Sequence, residues 1–235
     1  MDGRKLAAIL LLMAMMLSSL GLVYSAWTDT LLVEGTVNMG SLTLAFDYKE
    51  PPECHEYYLD EDGQLQKGEW EGKDVGSVSC RYEDLIEDPH TGKKGYKTLV
   101  IVVDNAYPQY IVHTTFLLHN IGTVPLSVYK YNITGEKRDS EGNLVYNLLW
   151  YDPNGDYIGS LWEDVNGNGV VDPGVDKEVI NLRITNALPT QIDPCRTDKR
   201  EIDMDFKQEA QECHTYIIRV TIMAVQWNKV DEVSP

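Results

Sequence analysis

Residues 215–227 read TYIIRVTIMAVQW, and apolar side chains recur there at every second position. The residues that share one face are Tyr216, Ile218, Val220, Ile222 and Ala224. Alternation with a period of two is the pattern of a strand with one face on an apolar core. This stretch predicts one long, half-buried β-strand.

The same signal recurs upstream along the chain. Residues 42–48 and 112–119 alternate between apolar and polar side chains, and residues 98–103 form the β-branched run TLVIVV. No stretch after the N-terminal apolar run has the 3.6-residue apolar period of an amphipathic helix. The prediction is one all-β domain over residues 41–235, most simply a two-sheet, jelly-roll-like sandwich.

Long polar segments separate the predicted strands. They are rich in Gly, Pro, Asp and Glu and fall at about residues 50–95, 151–176 and 186–212. This composition is typical of loops. We therefore predict that these segments are acidic surface insertions in the sandwich.

The charge balance limits the classes of partner. The chain carries 37 acidic and 20 basic residues, for a formal net charge of −17. A surface this acidic repels phosphates, which argues against nucleic acid and anionic lipid as ligands. It favours a soluble protein, or one whose clustered carboxylates are neutralised by bound cations.

The N-terminus has the organisation of a secretory signal. The basic pair Arg4–Lys5 precedes a long apolar run, which small residues follow. This pattern predicts that residues 1–25 are a signal peptide, cut before Ala26, with Val23 and Ser25 at positions −3 and −1. A retained membrane anchor is the rival interpretation, because the apolar run is near the lower limit for crossing a bilayer. The prediction is a secreted, extracellular protein.

Export gives the cysteines a structural meaning. The chain has four: Cys54, Cys80, Cys195 and Cys213. An even number in an oxidising compartment predicts two disulfides, with three possible connectivities. We favour the local pairs Cys54–Cys80 and Cys195–Cys213, because each closes a polar, loop-rich stretch. A zinc site is the competing interpretation, and no Cys-x-x-Cys spacing supports it.

The segment after the predicted cleavage site is apolar and β-prone. Residues 26–39 read AWTDTLLVEGTVNM, and the glycines Gly35 and Gly40 separate its first half from the predicted strand at 42–48. An exposed strand of this kind pairs with any available sheet edge, its own or that of a neighbour. The simpler interpretation is the first strand of the chain's own sandwich.

Three separated blocks, in order, resemble the camelysin/TasA family of extracellular fibre proteins. The blocks are GLVYSAWTDTLLVEGTVNMGSLTLAF (residues 21–46), NAYPQYIVHTTFLLHNIGTVPLSV (105–128) and YIIRVTIMAVQWN (216–228). The first is similar to the family's N-terminal strand and its Gly-rich entry into the next. The second is similar to its Tyr-Pro turn and Asn-x-Gly-Thr-x-Pro-Leu hairpin, and the third to its last core strand. The intervening segments match nothing in the family.

The resemblance implies both a fold and an assembly. Members of the family are exported jelly-roll-like sandwiches that polymerise into biofilm-matrix fibres, archaeal bundling pili or the tubes called cannulae. In these assemblies an N-terminal strand enters the sheet of the next subunit. Carried over to this chain, the resemblance places the donated strand within Ala26–Glu34, with Trp27, Leu31 and Val33 as packing residues, and residues 26–40 as donor strand and linker. Identical or homologous subunits are the implied partners, and an archaeal source is implied.

A calcium loop is the sharpest local signal, and it does not depend on that resemblance. Residues 164–176 read DVNGNGVVDPGVD. Residues with side-chain oxygens occupy positions 1, 3, 5 and 9 of an EF-like loop. Position 6 is glycine, and a backbone carbonyl is available at position 7. The candidate ligands are Asp164, Asn166, Asn168, the Val170 carbonyl and Asp172. Val175 occupies position 12 in place of the usual acid, and Asp176 is its candidate substitute. The alternative is an Asn/Gly-rich turn that binds nothing.

A second, weaker calcium frame lies just upstream. Asp152, Asn154, Asp156 and Glu163 fall at positions 1, 3, 5 and 12, but Tyr157 occupies the position that should be glycine. Because the two frames abut, one shared cluster could use Glu163 together with Asp164.

The remaining motifs are weaker indications of function. Asn132 begins an Asn-Ile-Thr sequon, which in an exported protein is a candidate glycosylation site. The five histidines are scattered, and neither an HExxH nor a Gly-x-Ser-x-Gly motif occurs. The sequence therefore predicts no enzyme activity.

Two hypotheses from different classes remain. The first is a structural subunit of an extracellular filament or tube (pilus, cannula or biofilm-matrix fibre), polymerised by strand donation, with Ca²⁺ stabilising the fold or the assembly. The second is a monomeric, calcium-stabilised, adhesin-like cell-surface module that binds glycans or proteins. Neither hypothesis involves nucleic acid, or a membrane once the signal is removed.

Overall fold

The computed structural model describes residues 9–17, 40–59, 62, 64–68, 76–185, 187 and 191–229. The chain divides into two compact units, Met1–Met39 and Gly40–Pro235. In the first unit, residues 9–17 form a helix, and no helix of the described residues is both long and apolar enough to cross a membrane. The predicted donor strand, with Trp27, Leu31 and Val33, lies outside the described residues.

The second unit is built almost entirely of strands. Their bounds are β1 Leu44–Asp47, β2 Glu53–Leu59, β3 Leu65–Lys67, β4 Ser77–Glu87, β5 Lys94–Asp104, β6 Ile111–Asn120, β7 Leu126–Arg138, β8 Leu144–Tyr151, β9 Ile158–Glu163, β10 Lys177–Thr185, β11 Gln191–Ile192, β12 Thr197–Phe206 and β13 Thr215–Gln226. A turn of 3₁₀ helix, Trp227–Lys229, follows β13. The all-β prediction is confirmed.

Nine of these strands close into one antiparallel barrel, in the order β1-β5-β13-β7-β8-β9-β10-β12-β6. The predicted two-sheet, jelly-roll-like sandwich is therefore wrong. The physical reason is that two strands, β8 and β1, pair with a neighbour on each of their edges and so link the two halves of the wall. β8 pairs with β7 and β9, and β1 pairs with β5 and β6. Two sheets that would otherwise face each other are thus joined by hydrogen bonds at both corners.

Closure at β1 requires a small residue on β5. Phe46 of β1 lies opposite Tyr96 of β5 and also opposite Leu118 of β6. A Cβ atom on Gly95 would overlap the side chain of Ala45, so only glycine permits this approach. The shortest strand of the barrel thereby completes its wall.

Four outer strands lie beyond the barrel. β2 pairs with β6 and continues into β3, β4 pairs with β5, and β11 pairs with β7. The disulfide Cys54–Cys80 joins β2 to β4, as predicted. Much of the segment predicted as a loop insertion at 50–95 is therefore a second layer of strands.

Two barrel strands also lie within predicted insertions. β9 belongs to segment 151–176, and β12 belongs to segment 186–212. Along β12 the buried and more exposed side chains alternate, with Ile202, Met204 and Phe206 facing the core. Its outward residues are charged and Arg200 occupies an inward position, so the apolar alternation is short and the strand resembles a loop in sequence.

The core fills the interior of the barrel and the space beneath β4. Phe46 of β1 stacks on Tyr82 of β4 at 5.2 Å and meets Phe116 of β6 edge-to-face at 5.5 Å. Of the predicted inward residues of β13, Tyr216, Ile218 and Val220 are fully buried, and Ile222 and Ala224 are partly buried against the core. Each fully buried aliphatic side chain contributes about 1.5–3 kcal/mol of apolar burial.

The predicted Cys195–Cys213 disulfide is wrong, because both cysteines are free and exposed. Cys195 precedes β12 and donates its backbone N–H to Asn120, whereas Cys213 follows β12 and donates to Asn105. β12, whose ten residues span about 30 Å, lies between the two cysteines in the chain. A strand, rather than a closed loop, separates these cysteines.

Asp88 ties the β4–β5 turn to the residues that enter β1. Its carboxylate is buried and accepts hydrogen bonds from Thr43 Oγ1 at 2.6 Å and from the backbone N–H groups of His90 and Thr91. Burial opposes ionisation, but these hydrogen bonds outweigh it and hold the pKa of Asp88 well below its ordinary value.

Replacing Asp88 with asparagine should weaken the folded state at neutral pH by about 2 kcal/mol. Because the folded pKa is depressed, ionised Asp88 stabilises the protein above the ordinary pKa of 3.8, and this stabilisation is lost as the pH falls below that value. Urea unfolding at neutral and at acid pH measures both effects. Glu209→Gln, at an exposed position, is the control. An unchanged acid dependence in Asp88→Asn would contradict the assignment.

Candidate functional site

The predicted calcium loop connects β9 to β10. Gly167, Gly169 and Gly174 all have positive φ, which lets the chain turn tightly there. The backbone N–H of Asp164 donates to the Asn147 carbonyl at 3.0 Å and fixes the start of the loop to β8. The barrel therefore holds both ends of the loop.

The side chains of the loop converge into one hydrogen-bonded network. The two oxygens of Asp164 accept the backbone N–H groups of Asn168 and Gly169, at 3.1 and 3.0 Å. The amides of Asn166 and Asn168 both donate to Asp172 Oδ2, at 2.8 and 2.7 Å. The predicted candidates at positions 1, 3, 5 and 9 are thus brought together.

Asp176 completes this network. Its Oδ1 accepts the N–H of Val165 at 3.0 Å, and its Oδ2 accepts the N–H of Asp172 at 2.8 Å. Asp176 is buried, whereas Val175 at the twelfth position is 53% exposed. The carboxylate that follows Val175 is thus part of the loop network, and its role as a calcium ligand stays a prediction.

The donor chemistry of the loop suits a hard cation. Three carboxylates, the side-chain oxygens of two asparagines and the Val170 carbonyl are candidate oxygen ligands, the kind that Ca²⁺ prefers. In the described part of the chain, no three His, Cys, Asp or Glu side chains already form a metal-binding group. The loop carboxylates accept hydrogen bonds from N–H groups of the loop itself. A bound ion would replace some of these hydrogen bonds by coordination.

The second predicted frame is not assembled. Asp152, Asn154 and Asp156 lie in the β8–β9 turn, where Asp152 accepts backbone N–H groups of the same turn. Glu163 lies at the other end of β9, about 20 Å away along six extended residues. The prediction that these residues share a site is wrong, because a strand runs through the frame.

Glu163 binds a lysine inside the barrel. Its Oε1 accepts a hydrogen bond from Lys137 Nζ at 2.6 Å, and the side chains of both residues are fully buried or nearly so. The other oxygen, Oε2, is buried without a hydrogen-bond partner among the described residues, and a cluster shared with Asp164 stays a prediction. The ion pair fixes the residue that directly precedes the loop.

One group of histidines was not predicted from the sequence. His55 of β2 lies directly opposite His113 of β6, and His113 Nδ1 is 2.7 Å from Asp203 Oδ1 of β12. His55, His113 and Asp203 come together only because β2 pairs with β6. This pairing was not predicted, because residues 50–95 were predicted as an insertion. His119 stands apart, beside Asp47 at 3.0 Å, and burial lowers the pKa of its imidazole.

The sequon asparagine is accessible. Asn132 lies in β7 with its side chain exposed, opposite Thr221 of β13. An exposed side chain permits glycosylation.

Comparisons of the chain with protein-family models, with curated proteins and with solved structures find no match.

Proposed function

We propose that the chain is a structural subunit of an extracellular filament or tube, in which the N-terminal strand of one copy completes the sheet of the next. The feature that supports the proposal best is an edge of the outer strand β4 that has no partner among the described residues, combined with an apolar, β-prone segment at residues 26–34. The resemblance to extracellular fibre proteins points the same way.

The accepting edge that we propose is β4. Among the described residues β4 pairs with β5 alone, so its other edge offers unpaired backbone N–H and C=O groups. The pairing with β5 is regular over Ser77–Glu83 and skips Asp84, which has a φ of 62°. The Asp84 carboxylate accepts a hydrogen bond from Thr98 Oγ1 at 2.7 Å. This interruption limits the usable edge to the first part of the strand.

Strand addition would satisfy those backbone groups and bury the apolar side chains of the donor in one step. A contact between the N-terminal strand of one copy and β4 of another joins two different surfaces. Such a heterologous contact does not close on itself by twofold symmetry, so it propagates into a filament or a tube. No enzymatic step is part of this proposal.

Calcium bound at Asp164–Asp176 would support assembly in two ways. It would replace hydrogen bonds within the loop by coordination from three carboxylates, and so fix the loop between β9 and β10. It would also reduce repulsion between subunits, each of which carries a formal net charge near −17. Binding to the folded state alone would raise its stability with calcium concentration.

Negative-stain electron microscopy of the chain from Ala26, with and without millimolar calcium, tests the proposal. We expect filaments or tubes that calcium promotes. A chain that begins at Gly35 should remain monomeric, and Asp164→Ala should lose the response to calcium. Monomers under every condition would overturn the subunit function and favour the calcium-stabilised binding module.

A peptide of residues 26–34 added to the chain from Gly35 locates the accepting edge. Binding with one-to-one stoichiometry, and hydrogen-exchange protection of residues 77–83, are the expected results. A scrambled peptide of the same composition is the control. Protection at another edge would contradict the assignment to β4 without excluding strand donation.

A further inference from the structure

An open groove of about 560 Å³ lies on the outer face of β9, β10 and β12, away from the calcium loop and from β4. Strand register places Ser160, Asn181 and Asp205 side by side in one row across these three strands. Arg183 lies in the next row, opposite Asp203. The groove is therefore supported by the central strands of the barrel wall rather than by loops.

One side of the groove is aromatic. Tyr151, at the end of β8, meets Trp162 of β9 edge-to-face, with ring centroids 6.3 Å apart. Trp162 Nε1 donates to Ser160 Oγ at 2.8 Å, which fixes the orientation of the indole. Tyr151 is 42% exposed. These rings provide a preorganised apolar surface that is open to solvent.

The other side of the groove is polar and free to bind. The side chains of Asn181, Arg183 and Asp205 are exposed, and none forms a hydrogen bond or ion pair with another described residue. An amide, a guanidinium and a carboxylate each offer two or more donors or acceptors in a plane. Such groups can bind adjacent hydroxyls of one ligand.

The backbone and the charges narrow the class of ligand. β9, β10 and β12 are paired on both edges, so a peptide cannot add to them as a strand. Glu178 is paired with Lys207 at 2.6 Å, and Asp203 is in contact with His113 at 2.7 Å. The other charged residues that line the groove are Asp205 and Arg183, so acidic residues outnumber basic ones there. A strongly anionic ligand is therefore disfavoured, and side chains alone must recognise the ligand.

We propose that this groove binds a neutral pyranose oligosaccharide. A pyranose ring has an apolar C–H face that stacks on Trp162 or Tyr151, and an edge of hydroxyls that hydrogen-bond to Asn181, Arg183 and Asp205. This combination of aromatic platform and free planar polar groups matches both surfaces of a sugar. The inference goes beyond the subunit function and does not depend on it, because a monomer already contains the whole groove.

Isothermal titration of the full chain with soluble neutral hexasaccharides tests the inference. The probes are cellohexaose, laminarihexaose, mannohexaose and chitohexaose, with oligogalacturonate as the anionic comparison. We expect millimolar or tighter binding of at least one neutral probe, and weaker binding of oligogalacturonate. Trp162→Ala and Asn181→Ala should each weaken that binding about tenfold or more.

Trp227→Ala is the matched control, because Trp227 is 50% exposed and lies outside the groove. Asn181→Ala changes an exposed side chain and keeps the test decisive if Trp162→Ala fails to fold. Failure of the wild-type chain to bind any neutral probe overturns the inference. Equal sugar affinity of the wild type and Asn181→Ala also overturns the inference. So does self-association that depends on Trp162 and occurs without sugar, which would assign the groove to a second copy of the chain.

Discussion

Lys137→Met should lower the free energy of unfolding by about 3–5 kcal/mol. Lys137 Nζ is fully buried and lies 2.6 Å from Glu163 Oε1 and 2.8 Å from Gln211 Oε1. It also lies 5.6 and 5.8 Å from the ring centroids of Tyr146 and Tyr216. Removing the ammonium leaves a buried carboxylate without its cation, and the desolvation of that carboxylate is the main cost.

The double variant Lys137→Met/Glu163→Leu separates this cost from lost packing. Removing both charges should restore most of the stability, because a buried ion pair is often no more stabilising than an apolar pair of similar volume. Lys199→Met is the matched control, since Lys199 forms an exposed pair with Glu201 and should cost less than about 1 kcal/mol. Urea denaturation measures all four proteins. A loss below about 1 kcal/mol in Lys137→Met would contradict the role of the buried pair.

Replacing Cys54 and Cys80 together with serine should lower the free energy of unfolding by about 3–4 kcal/mol. The two cysteines are separated by 26 residues, and the disulfide limits the freedom of this loop in the unfolded chain. In the folded chain it joins β2 to β4, which pair with different barrel strands. Without it the outer layer is held by its pairing and by apolar contacts alone.

Cys195→Ser/Cys213→Ser provides a control with the same chemical change. These cysteines are free and exposed, so the variant should unfold at the same urea concentration as the wild type. Limited proteolysis should cut Cys54→Ser/Cys80→Ser faster within residues 60–75 than it cuts the control. Equal stability of the two double variants would show that the disulfide contributes nothing to the fold.

The strands that alternate cleanly were predictable from sequence, and the way they close was not. β13 and β6 have the expected apolar period because one face of each meets the core, whereas β5 contains the predicted β-branched run and is buried on both faces over residues 98–101. Barrel closure depends on β1, whose four residues pair with two different strands, and no local pattern encodes a choice of partner. β12 was missed because its inward Arg200 interrupts the apolar alternation.

The candidate site divides in the same way. The spacing of the loop 164–176 is a local property, so its side chains converge as expected, including Asp176 at the shifted position. The second frame and the Cys195–Cys213 pair failed because an extended strand, β9 or β12, lies between their members. The groove beside Trp162 is formed by residues from β8, β9, β10 and β12, and only strand register brings them together.

The position of β1 has a mechanical consequence. Tension that travels along the chain from Gly40 reaches β1 before any other strand of the barrel. Because β1 is hydrogen-bonded to β5 and to β6, the load is divided at once between the two sides of the wall. The shortest strand of the barrel is therefore the point where pulling on the N-terminal segment becomes a stress on the whole domain.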